Sequence, residues 1–220
     1  MSETRTNRSR ADTARAALLE AALADAPFEG WSDALLAKAA SKAGLSAGEV
    51  KLYCPGGVID LVIFWWKEMD ETASEAIRSG EAPAKIRERV TRAVLLRLEA
   101  GAGHEEALSR ARARLLLPDG IADGAQLAFE TSDMIWRAIG DTSTDFNWYS
   151  KRTILTGVWT STLAIWLGES DPDKPETRAF LDRRIANVME FEKVKARANS
   201  LLATLPDFAG MAGRARFGAR

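Results

Sequence analysis

The chain has 220 residues, 46% of them hydrophobic, and its 30 Lys and Arg residues nearly balance 31 Asp and Glu residues. This size and apolar content predict one domain with a substantial core. The formal net charge of −1 argues against a uniformly basic nucleic-acid binder. A lone cysteine, Cys54, cannot form an internal disulfide, and with the lone histidine, His104, it leaves no Cys/His zinc cluster.

Catalytic constellations are equally scarce. One histidine and one cysteine remove most nucleophile–base pairs and most metal sites from consideration. Asp171 and Asp173 flank Pro172 in a polar stretch, where carboxylates are typical turn formers. We therefore predict a protein that is not an enzyme and has no metal and no cofactor.

In chain order, residues 1–9 are predicted to be a disordered tail, because this Ser-, Thr- and Arg-rich stretch is too short and too polar for a transit peptide. Ala, Leu, Glu and Arg then dominate segments whose apolar residues recur at helical spacing, which predicts an all-α protein. Ser32 and Ser46 are predicted N-caps. Gly and Pro residues separate the predicted helices, which cover residues 10–26, 33–43, a short stretch after 46, 58–78, 83–100, 104–117, 122–139, 146–168 and 175–205.

Several bulky side chains fall along one stripe of the predicted helix 146–168. Trp148, Leu155, Trp159 and Trp166 are separated by seven, four and seven residues. Ordinary core packing and the wall of an apolar ligand cavity both fit this stripe, and Trp65, Trp66 and Trp136 are candidates for more wall. The predicted ligand-lining residues are Leu61, Trp65, Trp66, Ile139, Leu155, Trp159, Leu163 and Trp166.

The same helix carries a second stripe made of small side chains, Gly157, Ser161, Ala164 and Gly168. Small residues let helix backbones approach closely. Two interpretations stay open: tight packing within the chain, or the seam of a dimer.

The C-terminal segment 187–220 is amphipathic and basic. Its apolar residues recur at helical spacing beside Lys and Arg, a pattern typical of a helix at an anionic membrane surface, although a helix docked on the protein body fits equally well. The predicted membrane-binding residues are Leu201, Leu202, Leu205, Phe208, Met211 and Phe217. The longest apolar run, 58–66, is too short to span a bilayer.

The N-terminal quarter resembles the helix-turn-helix region of TetR-type regulators, through Leu18–Ala22, Ala43–Ser46 and Leu52–Tyr53. Such regulators usually have a phosphate-binding Lys where this chain has Pro55-Gly56-Gly57. The would-be recognition helix carries Glu49 beside a single Lys51, which equips it poorly for phosphate and base contacts. A ligand-responsive transcriptional regulator is therefore the alternative hypothesis, and we expect no nucleic-acid partner.

Further along, the chain has two characteristic segments, Gly140–Arg152 and Phe180–Arg184, and near its start it has Gly30-Trp31 and Gly44–Ser46. Through these residues it resembles the Coq-nine family of lipid-binding accessory proteins of ubiquinone (coenzyme Q) biosynthesis. It implies a TetR-like bundle of about nine to ten helices over residues 10–186, with a helix-turn-helix-like part at 10–56 and an amphipathic C-terminal helix.

That resemblance also implies a function. We expect a homodimer that holds an isoprenoid or phospholipid ligand and presents a polyprenyl quinone precursor to a partner hydroxylase at a membrane surface. The implied partner-binding residues are Ile135, Trp136, Asp145, Trp148 and Tyr149, so Trp148 is assigned to the partner surface rather than to the cavity. Without a mitochondrial-type presequence, we expect a bacterial member that is cytoplasmic and peripheral on the inner face of the inner membrane.

Overall fold

The computed structural model describes the backbone of residues 9–144 and 146–203 and the side chains of 9–144 and 148–190. Over these residues the chain forms ten helices and no strand, which confirms the all-α prediction. The helices are α1 (Arg10–Leu23), α2 (Ala26–Glu29), α3 (Asp33–Ala43), α4 (Ala47–Tyr53), α5 (Val58–Ser79), α6 (Ile86–Glu99), α7 (Glu105–Leu115), α8 (Ile121–Ala138), α9 (Phe146–Gly168) and α10 (Pro175–Ala203).

The helix ends of the N-terminal part follow the predicted capping chemistry. The Ser32 hydroxyl accepts a hydrogen bond from the Leu35 amide, and Gly44 ends α3 with a φ of 69°. Ser46 and Glu49 form a reciprocal capping box at the start of α4.

One helix boundary was predicted wrongly. The first helix ends at Leu23, and Ala26–Glu29 forms a separate short helix. Pro27 lies in the first turn of α2, where its missing N–H costs nothing. The proline therefore starts a helix here rather than closing the previous one.

Helix α5 lies at the centre of the fold and packs against α1, α6 and α8, while α8 packs against α9. Its side chains Leu61, Val62 and Ala73 have no exposed surface. This arrangement places α8 and α9, which carry the candidate site, directly on the core.

A buried arginine joins four of these helices. Arg97 of α6 is fully buried and forms an ion pair with Asp70 of α5. Its guanidinium carbon lies 5.2 Å from the ring centroid of Trp66 and 4.9 Å from that of Trp159. Thr131 of α8 donates to Asp70 (2.9 Å) and accepts from the Trp66 indole N–H (3.0 Å). Burial raises the pKa of Asp70 and lowers that of Arg97, so each charge depends on its partner.

The chain forms two compact units, Met1–Leu181 and Asp182–Arg220. The backbone of α10 is described as far as Ala203, but the predicted membrane-binding residues Leu201, Leu202, Leu205, Phe208, Met211 and Phe217 lie outside the residues whose side chains are described. No helix in the described part of the chain is long and apolar enough to cross a membrane.

Replacing Asp70 with Asn should destabilise the protein strongly. The amide cannot balance the Arg97 charge, and breaking a buried ion pair by removing one partner costs about 3–5 kcal/mol. The matched control is Glu106→Gln, which breaks the exposed Glu106–Arg110 pair (3.0 Å) and should cost less than about 1 kcal/mol. Urea unfolding of both variants measures the difference, and equal losses would contradict a central role for the buried pair.

Candidate functional site

A cluster of aromatic side chains lies where α8 and the start of α9 meet. The Trp148 ring packs edge-on against Tyr149, with centroids 4.7 Å apart, and lies 5.9 Å from Phe129 of α8. Tyr149 is 63% exposed, while Trp148 is half-buried. We call Phe129, Trp136, Trp148 and Tyr149 the aromatic surface.

The fourth member, Trp136, is held by α9. Its indole N–H donates to the Lys151 carbonyl at 3.1 Å, and the Lys151 ammonium lies 5.2 Å from the centroid of its ring. This contact ties the end of α8 to the first turns of α9.

Beneath the aromatic surface lies a second buried arginine. The Arg152 side chain is 1% exposed and pairs with Asp133 at 2.5 Å and with Asp141 at 3.3 Å. It also donates to the Trp148 carbonyl at 3.2 Å, and its guanidinium carbon lies 4.2 Å from the Trp148 ring centroid. Arg152 therefore fixes both the backbone and the ring of Trp148 from below.

Asp141 completes this support. Its carboxylate accepts from the Lys151 ammonium at 2.6 Å and from the Ser143 hydroxyl at 2.9 Å, in addition to Arg152. Burial by itself would raise the pKa of Asp141, but these hydrogen bonds prevail and the pKa lies below the ordinary value of 3.8. The ionised carboxylate therefore stabilises the folded protein above that pH.

The predicted partner-binding residues differ in how exposed they are. Tyr149 is exposed, and Trp136 and Trp148 are half-buried at the aromatic surface. Ile135 has no exposed surface, so it lies in the core beneath the others rather than among the surface residues. Asp145 lies outside the described residues.

Sequence reasoning did not assign the supporting residues. Arg152 and Lys151 belong to the segment Gly140–Arg152 that carries the resemblance, so the sequence pattern could have identified them as site residues. Phe129 and Asp133 come from α8, and only the folded α8–α9 pair shows that they meet α9.

The predicted ligand-lining residues are found in the core, except that Ile139 is half-buried. Trp66 packs edge-on against Trp159 at 5.9 Å, with Arg97 over both rings. Trp65 packs instead against Trp31 at 5.4 Å. The two neighbouring tryptophans thus belong to different aromatic clusters, and lining of a ligand cavity stays a prediction for both. The remaining members, Leu61, Leu155, Leu163 and Trp166, are at most 4% exposed.

At its two glycines, the stripe of small residues on α9 has free space around it. Gly157 is exposed, and a Cβ added there, or at Gly168, would meet no atom within 4 Å. Close packing within the described chain does not explain these two glycines, so the dimer-seam interpretation remains for them.

Helix α4, in the recognition-helix position of the helix-turn-helix-like part, is poorly suited to reading DNA. The Glu49 carboxylate is held in the capping box, where it accepts from the Ser46 amide at 2.9 Å and hydroxyl at 2.7 Å. Leu52 presents an apolar side chain that is 70% exposed. Phosphate contacts require hydrogen-bond donors, which neither of these side chains supplies. Elsewhere, no group of three or more His, Cys, Asp or Glu side chains among the described residues could hold a metal ion.

Asp141→Asn should loosen the aromatic surface. The amide leaves Lys151 and Arg152 without one carboxylate, and we expect a loss of about 1–3 kcal/mol in the free energy of unfolding at pH 7. The pKa of Asp141 is lowered in the folded protein, so its carboxylate stabilises the fold fully at pH values above the ordinary pKa of 3.8. This stabilisation is lost as the pH falls through the folded-state pKa. The stability difference between the variant and the wild type should therefore vanish in acid.

The control for this variant is Asp119→Asn, whose carboxylate is 67% exposed and pairs with Arg114 at 2.7 Å. Its cost should be much smaller than that of Asp141→Asn, because solvent screens an exposed ion pair. Urea unfolding as a function of pH measures both variants. A deficit of Asp141→Asn that persists unchanged at the lowest pH would contradict the electrostatic explanation.

The COQ9 family model matches residues 121–192, a segment that contains α8, α9 and the whole aromatic surface. The mitochondrial ubiquinone biosynthesis protein COQ9 of Rattus norvegicus is 30% identical over 197 residues, which cover 84% of this chain and 63% of that protein. COQ9-A of Xenopus laevis is 31% identical over 203 residues, covering 89% and 64%. The chain thus spans less than two thirds of the length of these relatives.

Among solved structures, a TetR transcriptional regulator from Nitrosomonas europaea matches with a TM-score of 0.63 at 18% identity, covering 78% of this chain and 95% of the regulator. At that identity the likeness concerns the fold alone. The chain is thus homologous to COQ9 proteins over most of its own length, and it has a TetR-like fold.

Proposed function

We propose that this protein is a non-enzymatic lipid-binding protein of ubiquinone biosynthesis that binds isoprenoid quinone precursors at a membrane and presents them to a partner hydroxylase. The COQ9 relatives, named as ubiquinone biosynthesis proteins, indicate the pathway. The observation that carries the proposal is the aromatic surface, which lies inside the segment matched by the family model.

The aromatic surface has the properties of a protein-binding site. Tyr and Trp dominate the binding energy of interfaces, because they bury a large area at low entropic cost. Here Tyr149 is 63% exposed, and Trp148 is held against Arg152 before any partner arrives. A side chain that is already ordered loses less conformational entropy on binding, which favours this surface as the binding site for the hydroxylase.

Lipid binding is supported by the aromatic and aliphatic side chains that α5 and α9 contribute to the core. Trp66, Trp159 and Leu163 come from these two helices and are buried. The Trp159 indole N–H has no hydrogen-bond partner in the described part of the chain. An unpaired buried donor beside apolar walls suits a ligand with a long apolar body and a few oxygen acceptors, such as a polyprenyl quinone precursor.

The membrane part of the proposal rests on the amphipathic, basic composition of residues 187–220. We place the protein peripherally on a membrane, which in a bacterium would be the inner face of the inner membrane. The small stripe supports a homodimer, since a Cβ added at Gly157 or Gly168 would meet no described atom within 4 Å.

A DNA-binding regulator is the alternative that the fold itself suggests. It requires α4 to contact phosphates and bases, whereas Glu49 and Leu52 supply an engaged carboxylate and an exposed apolar side chain. A fold shared by many functions does not decide between them, so the side chains of α4 carry the argument.

Tyr149→Ala should weaken binding to the ubiquinone-pathway hydroxylase of the same organism by about tenfold or more, because truncating a central aromatic anchor costs more than about 1–2 kcal/mol. The control is Phe28→Ala, since Phe28 is also a large exposed aromatic, at 84%, but belongs to α2. Calorimetric titration with the purified hydroxylase measures both, and equal effects would overturn the assigned surface. Thermal unfolding should be nearly unchanged in either variant, whereas Trp148→Ala would also remove the contact with Arg152.

Native mass spectrometry of the purified protein, followed by organic extraction, tests the lipid part. We expect a dimer that carries a polyprenyl quinone, its precursor or a phospholipid, with the extracted lipid identified by its fragment masses. A protein without lipid that shifts a DNA duplex in a salt-dependent manner would instead favour the regulator.

A further inference from the structure

A small cavity of about 180 Å³ lies beside the loop that joins α5 to α6. Three arginines line it, Arg78 from α5 and Arg89 and Arg92 from α6, together with apolar residues that include Ile77 and Ile139. No Asp or Glu contributes to this lining within the described part of the chain. The cavity lining therefore combines basic and apolar residues without an acidic one among the described residues.

The three guanidinium groups are not neutralised by neighbouring side chains. None of them forms an ion pair with a carboxylate of the described residues. Arg89 donates to the Pro83 carbonyl at 2.6 Å, and Arg92 makes two long hydrogen bonds of 3.4 Å to the carbonyls of Ala76 and Ile77. Most of their N–H donors are thus left for a ligand.

The surrounding segment, residues 76–92, strengthens this positive charge. It contains five basic and two acidic residues, which gives a net charge of +3 in a chain whose total is −1. The segment around the cavity is therefore locally positive, although the chain as a whole is nearly neutral.

Gly80 shapes the cavity for Arg92. A Cβ added at Gly80 would lie 1.9 Å from the Arg92 Nη2 atom and 2.9 Å from its Cζ atom. The backbone of Gly80 has a φ of −90°, which any residue can adopt, and the absence of a Cβ leaves room for the Arg92 guanidinium in its present position. The loop therefore accommodates the Arg92 side chain in this position.

We propose that this cavity binds a phosphate-type anion, either as a free phosphate or diphosphate or as the head group of a lipid. Planar guanidinium groups match phosphate oxygens in pairs, and three arginines line this cavity. The volume is below the roughly 300 Å³ at which sites for whole drug-sized ligands begin, so it suits a small anionic group. Ile77 and Ile139 would contact the apolar part of an attached chain. The site uses no residue of the aromatic surface, so the proposed function stands or fails separately.

The test is titration of the full-length protein with sodium pyrophosphate, followed through the NMR signals of the arginine Nε–H groups and the amides of residues 77–92. Arg78→Gln and Arg92→Gln should each weaken binding by about tenfold or more, since each removes hydrogen bonds between two charged groups. The matched control is Arg87→Gln, an exposed arginine of α6 that does not line the cavity, and it should bind like the wild type.

A second arm separates the two sources of the anion. Flotation with phosphatidylcholine vesicles, with and without phosphatidic acid, should show an Arg78-dependent increase for the acidic vesicles if the ligand is a lipid head group. Pyrophosphate binding without that increase identifies a free anion instead. If neither probe binds, or if Arg87→Gln weakens binding as much as Arg78→Gln, the proposal is refuted.

Arg92→Gln also removes hydrogen bonds to the last carbonyls of α5 and could lower stability. Thermal unfolding of each variant checks this. Arg78 makes no hydrogen bond or ion pair with the described residues, so Arg78→Gln decides the question by itself if Arg92→Gln is unstable.

Discussion

The ion pair between Arg97 and Asp70 is the interaction on which the helical core depends. A guanidinium with no exposed surface must have its charge balanced within the protein, since an unpaired buried charge costs several kcal/mol. The balancing groups come from separate helices: Asp70 and Trp66 from α5, Thr131 from α8 and Trp159 from α9. The buried Arg97 charge is therefore fully balanced and packed only when α5, α6, α8 and α9 are all in place, which makes this helix packing specific.

A second buried arginine that is paired with carboxylates lies where α8 meets the start of α9, and there it supports a surface rather than the core. Arg152 is buried, is paired with Asp133 and Asp141, and lies against Trp148, as Arg97 lies against Trp66 and Trp159. Arg152 and Trp159 are both on α9 and seven residues apart, which is about two helical turns, so they share one face of the helix. The helix that is anchored in the core through Trp159 thus also holds the base of the aromatic surface.

The sequence predicted the helices well because their ends are determined locally, by Ser32, Gly44, Ser46 and similar caps and breaks. It could not predict the buried arginines. Arg97 lies in a helix with several other arginines, a pattern typical of a solvated face, and its partner Asp70 is 27 residues away. Trp65 and Trp66 were assigned to one wall, but adjacent helical residues point about 100° apart, and the two rings pack in different clusters. Contacts between distant helices, rather than local propensity, determine both outcomes.

The protein therefore contains two classes of arginine. Arg97 and Arg152 are buried, paired with carboxylates and stacked on tryptophan, so their charges are consumed in holding helices together. Arg78 is exposed and Arg92 is half-buried, and both line a cavity without forming an ion pair with the described residues. A TetR-like fold does not by itself supply either arrangement, and the α4 helix that reads DNA in regulators has here the engaged carboxylate of Glu49. The charges of this chain thus lie where they order an aromatic surface and line a small cavity.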